Sequence, residues 1–67
     1  MSIAKVTEIS ASSTESFDDA IRQGIERANK TLDRVQGAWI SEMKVDVEDG
    51  NVVTYRVNMR VTFILKD

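Results

Sequence analysis

Val52-Val53-Thr54-Tyr55-Arg56-Val57-Asn58-Met59-Arg60-Val61-Thr62-Phe63-Ile64-Leu65 alternates almost without fault. Its odd positions carry Val53, Tyr55, Val57, Met59, Val61, Phe63 and Leu65. The even ones carry Thr54, Arg56, Asn58, Arg60 and Thr62, until Ile64 breaks the pattern. Successive strand side chains point to opposite faces, so this stretch predicts one long strand with an apolar and a polar face. At about 3.3 Å per residue it extends roughly 45 Å, more than a lone small sheet needs. That excess is a first sign of a partner chain.

Immediately upstream, Glu48-Asp49-Gly50-Asn51 separates this strand from a second run, Ala38 to Val47. Asp-Gly between two alternating runs predicts a tight hairpin, because both residues tolerate positive φ. Met43, Val45 and Val47 alternate cleanly, but Ala38 and Ile40 have the opposite parity. Either Trp39 is core and Ile40 is not, or a β-bulge near Ser41-Glu42 flips the phase.

Further back, Phe17, Ala20, Ile21, Ile25, Ala28, Leu32 and Val35 recur in steps of three and four. They define one face of a helix of about five turns, with Arg22, Glu26, Arg27, Lys30, Asp33 and Arg34 solvated. Ser12 and Glu15 have capping-box spacing, Asp18 and Asp19 suit the positive end of the helix dipole, and Glu26 and Lys30 stand at i and i+4. Gly24 sits mid-helix at a cost of roughly 0.8–1 kcal/mol relative to Ala, which close packing would offset. Gly37 is placed to end the helix in a left-handed conformation. Before the helix, Ile3 to Ser10 alternates weakly and reads as a short strand, followed by a turn at Ala11-Ser12-Ser13-Thr14. The fold class is therefore α+β: a β-α-β-β chain, a three-stranded antiparallel sheet with one helix across its apolar face, forming one domain over residues 1–67.

A chain of 67 residues buries only about 60% of the surface its unfolded form exposes. With no Cys and no His, disulfides and the common transition-metal sites are excluded, which leaves oligomerisation as the stabilising device. A net charge of −2 and a pI near 5.0 argue against a sequence-independent nucleic-acid binder. No apolar run reaches a membrane span and the N-terminus has no signal-peptide pattern, so the expected location is cytoplasmic.

Catalytic constellations are thin: general acid–base chemistry would fall on carboxylates, Lys or Tyr55, and no phosphate loop is present. Asp18-Asp19 is accounted for by the helix dipole. Glu48, Asp49 and Asn51 could ligate a hard cation such as calcium, but their spacing matches no EF-hand loop and an ordinary solvated hairpin tip is the better account of them. The polar face is more informative. Arg56, Arg60 and Lys44 project there beside Glu42, Asp46 and Asn58, as an interstrand salt-bridge ladder or as a surface for an anionic or planar ligand.

Lys5-Val6-Thr7-Glu8-Ile9, a Ser-rich turn, the helix pattern A-I-x-x-x-I-x-R-A-x-K-T-L from Ala20 to Leu32, and T-Y-R-V-x-M-x-V-x-F from Thr54 to Phe63 together resemble the dodecin family. The resemblance covers essentially the whole chain without gaps in the helix or hairpin. It implies a helix wrapped by a steeply curved sheet, a hollow homododecameric shell, and a binding protein rather than an enzyme. Most members sequester or store flavins: a Trp near the start of the second strand stacks on the isoalloxazine ring, a Gln after the third-strand Tyr hydrogen-bonds it, and an Arg lies in the second strand. Here those positions carry Gly37, Arg56 and Lys44, with Trp39 two residues beyond Gly37, which marks a divergent member. The family pattern also implies the bulge, with Ala38 and Ile40 inward and Trp39 outward; burying Ile40 and Ala38 favours the same choice.

Two functional expectations result. In the first, a flavin (riboflavin or FMN) stacks on Trp39 with Arg56 and Lys44 as polar or phosphate contacts. In the second, the same shell binds no flavin and has a structural or calcium-binding role.

Overall fold

The computed structural model describes residues 3–32 and 34–65. Along the chain run β1 (Ala4–Ser13), α1 (Phe17–Thr31), β2 (Val35–Glu48) and β3 (Asn51–Ile64). The three strands form one antiparallel sheet in the order β1-β3-β2. The long alternating stretch is thus the central strand, paired on both sides. Val57, Met59 and Val61 are fully buried on its apolar face, and Val53, Tyr55 and Phe63 are half-buried. Leu65, expected in the core, lies past the end of the ladder and is 41% exposed.

Asp49 (φ 50°) and Gly50 (φ 78°) both take positive φ. This is the backbone that a two-residue hairpin matching the strand twist requires. β1 is longer than its weak alternation suggests. Ala11, Ser12 and Ser13 pair with Val57, Arg56 and Tyr55, so the ladder holds a segment whose local composition favours a turn. In consequence the Ser12–Glu15 capping box does not form. Ser16 is the N-cap, its Oγ accepting the Asp19 N–H at 3.0 Å. Ser13 Oγ accepts the Glu15 N–H at 2.9 Å and donates to Asp19 Oδ2 at 2.6 Å. The acidic first turn, Asp18 and Asp19, is as expected.

The helix is also shorter at its C-terminus than the apolar stripe implies. Leu32 is the C-cap in extended conformation, its N–H donating to Ala28 O at 2.9 Å. Val35 already belongs to β2, opposite Phe63. Gly37 therefore does not end the helix; it lies inside β2, and among the described residues of the connection Arg34 (φ 50°) is left-handed. Cross-strand pairing of Val35 with Phe63 outweighs the periodicity that would have continued the helix. The expected Glu26–Lys30 pair is absent from the ion pairs among the described residues, which all lie on the sheet.

α1 seats Ala20, Gly24 and Ala28 on the sheet over β1 and β3. Gly24 is required by this approach: a Cβ there would collide with Met59 Cε and stand 3.1 Å from Ala11 Cβ. The packing offsets its poor helix propensity. At the helix start, the Phe17 and Tyr55 rings meet edge-to-face, 5.2 Å between centroids.

Fifteen helical residues rise only about 22 Å, whereas the molecule is 52 Å long. The far end of the β2–β3 hairpin therefore projects beyond the helix. Met43 (56% exposed), Val45, Val47 (56%) and Val52 are left open to solvent. Ordinary exposed hydrophobics are scattered; these are contiguous on one sheet surface. Among the described residues, no helix is long and apolar enough to cross a membrane.

Candidate functional site

The face of the sheet opposite the helix carries the polar side chains of β3 and, after a change of phase, those of β2. Ile40 pairs with Met59 while Glu42 pairs with Asn58, so Ser41 is the extra residue of a β-bulge. Ser41 Oγ donates to Asn58 O at 3.0 Å, pinning the bulge to the central strand. This one residue reconciles the two parities. Downstream of it Met43 and Val45 face inward, opposite Val57 and Tyr55; upstream, Ile40 faces inward opposite Met59 and Trp39 faces outward opposite Arg60. Trp39 is 63% exposed.

Reading across the sheet, the outward face is built in rows: Val6–Thr62–Gly37, Glu8–Arg60–Trp39, Ser10–Asn58–Glu42 and Ser12–Arg56–Lys44. Trp39, Arg56 and Lys44 therefore share one face, as the sequence suggests. They do not converge on one point within the chain. Lys44 and Arg56 are cross-strand partners, while the Trp39 row lies four β3 residues away, roughly 13 Å along the strand.

Asp46 organises the far end of this face. Arg56 Nη2 donates to Asp46 Oδ2 at 2.9 Å, and Lys44 Nζ lies 3.7 Å from Oδ1. The hydrogen bond from Arg56, aided by the charges of Arg56 and Lys44, holds the Asp46 carboxyl below the usual range. Asn58 Nδ2 donates to Glu42 Oε1 at 2.9 Å. A depression of about 310 Å³ opens here, lined by Glu42, Met43, Lys44, Arg56 and Asn58. The salt-bridge ladder is therefore present at this end, and it occupies two of the residues expected to meet a ligand.

At the hairpin tip Asn51 Nδ2 donates to Asp49 O. Among the described residues, no group of three or more acidic side chains comes together as a metal cluster would require. Calcium held at Glu48, Asp49 and Asn51 by one chain alone would have few ligands against the six to eight oxygens it takes.

A family model, Dodecin, matches residues 3–66. The chain belongs to the dodecin family. Among solved structures, dodecin from Streptomyces davaonensis is 35% identical, with a TM-score of 0.93, over 98% of this chain and 97% of that one. A mutant of Thermus thermophilus dodecin superposes with a TM-score of 0.94 over the full length of both chains at 27% identity. The calcium dodecin of Mycobacterium tuberculosis is 29% identical over 66 residues, 98% of this chain and 93% of that protein. Its crystal structure, described as calcium chelating with a novel calcium-binding site, gives a TM-score of 0.82. Dodecins thus share this β-α-β-β architecture from end to end, and one of them is named for calcium.

Gly37, which stands where the resemblance places the flavin-stacking Trp, lies in the row next to Trp39 on the outward face, and a Cβ there would meet no atom within 4 Å. Two features of the face escape strand-by-strand reading. Asp46 bridges Arg56 and Lys44, and Arg60 stands directly across from Trp39. Both depend on cross-strand register, which the alternation of a single strand does not encode.

Proposed function

We propose that the chain assembles into a homododecameric shell that sequesters a flavin, riboflavin or FMN, in the cytoplasm, by binding rather than catalysis. Trp39 is the stacking platform, and Arg56 and Lys44 supply polar contacts farther along the same face. The observation that carries this reading is the Ser41 bulge, which holds a large indole outward at 63% exposure while Ile40 turns in. A buried Trp contributes apolar area that a chain this small needs, so its display on the wet face calls for an occupant. The open apolar surface at Met43, Val45, Val47 and Val52 supports assembly, since neighbouring copies would cover what the helix does not.

The test pairs binding with assembly. Riboflavin fluorescence should be quenched by the wild-type protein. Trp39→Ala should weaken binding by roughly 1–3 kcal/mol, the scale of one aromatic stacking contact, and leave the light-scattering mass unchanged. An intact particle with unchanged affinity removes Trp39 from the site.

A second reading is favoured by the calcium dodecin relative: a shell that binds calcium and no flavin. Because no acidic cluster forms among the described residues of one chain, its ligands would come from several copies. Calorimetric titration with calcium alone separates it from the first reading.

A further inference from the structure

The row Glu8–Arg60–Trp39 places a guanidinium beside the exposed indole. Directly opposed residues in an antiparallel pair have Cβ atoms about 4.5–5.5 Å apart. Arg60 is exposed and, among the described residues, makes no ion pair or side-chain hydrogen bond. Glu8 flanks it on β1 without reaching ion-pair distance. The contrast with Arg56 is direct, since Asp46 holds that side chain at 2.9 Å.

The surroundings of Trp39 are asymmetric. On one side lies the Asn58–Glu42 hydrogen bond, at the edge of the depression described above. On the other lie Gly37, where a Cβ would meet nothing within 4 Å, and the small Thr62. A flat molecule can therefore lie over Gly37 and Thr62, against the indole and beside Arg60. Guanidinium presents a planar fork of donors that matches a phosphate, and a charge-assisted bond of this kind is stronger than a neutral one.

Resting on the flavin reading above, we infer that Arg60 is the cation that meets the ligand at Trp39, and that the site selects a planar heteroaromatic carrying a phosphate. Phosphorylated flavin then binds in preference to riboflavin, with the ring on Trp39 and the phosphate at Arg60. Arg56 and Lys44 remain tied to Asp46.

Trp39 is the only Trp of the chain, so its own fluorescence reports occupancy. The wild-type protein is titrated with FMN and with riboflavin, and so are Arg60→Gln and Arg60→Lys. Wild type should prefer FMN by on the order of tenfold, the scale of one hydrogen bond to a charged group. Arg60→Gln should abolish that preference; Arg60→Lys should retain part of it. The preference is a ratio measured within each protein, so a change in overall folding does not mimic it. Equal affinity for both flavins in wild type, or a preference that survives Arg60→Gln, overturns the role of Arg60 and leaves flavin binding standing. Binding of neither flavin overturns both.

Discussion

Gly37→Trp restores an indole at the place where the family resemblance puts one, and the structure sets the size of the effect. A Cβ at Gly37 meets no atom within 4 Å, and Gly37 is not among the positive-φ residues, so neither sterics nor backbone opposes the change. Gly weakens a strand interior and β-propensities span about 1 kcal/mol, so stability should hold or rise within that range. Residues 37 and 39 face the same way, roughly 6–7 Å apart along the strand. That spacing is about twice a van der Waals carbon separation of roughly 3.5–4 Å, enough for a planar ring between two indoles. A second stacking surface contributes about 1–3 kcal/mol, or between about 5- and 150-fold in affinity. Riboflavin is the ligand to titrate, because without a phosphate it reports stacking alone; fluorescence gives the affinity and light scattering confirms assembly. An intact particle with unchanged or weaker riboflavin affinity would refute the placement of the ring-binding surface beside Trp39.

Met59→Ala, at a fully buried position under Gly24, should cost about 2–5 kcal/mol in urea unfolding, whereas Arg60→Ala should stay within about 0.5 kcal/mol; equal losses would show the faces of β3 assigned the wrong way round. The Asp46 carboxyl should titrate below the unfolded value of roughly 3.9, followed by carboxyl NMR, and Arg56→Gln should move it back up. Because the folded value is depressed, any stability from this exposed pair is present above the unfolded value and lost only as pH falls through the folded one. A midpoint at or above the unfolded value would mean that the ion pair is not maintained in solution.

The alternation of Val53 to Phe63, the Asp49-Gly50 turn and the helical stripe were sufficient to read the β-α-β-β chain, because each is a local pattern with its own period. What the sequence left open were quantities fixed by pairing between distant segments. Ser12 and Ser13 look like a turn until β3 is laid beside them. Gly37 looks like a helix stop until Val35 is set opposite Phe63. Trp39 has two consistent parities until Ser41 is seen as the extra residue. The candidate site divides in the same way. Trp39, Arg56 and Lys44 were legible as members of one face, but the capture of Arg56 and Lys44 by Asp46, and the pairing of Trp39 with Arg60, follow from register alone.

Size-exclusion chromatography with in-line light scattering and visible absorbance, after incubation with FMN, tests assembly and binding together. The expected result is one particle of twelve times the 7.5 kDa chain mass, with flavin absorbance eluting in the same peak. A monomer would contradict the shell, and a dodecamer that elutes free of flavin would contradict the ligand.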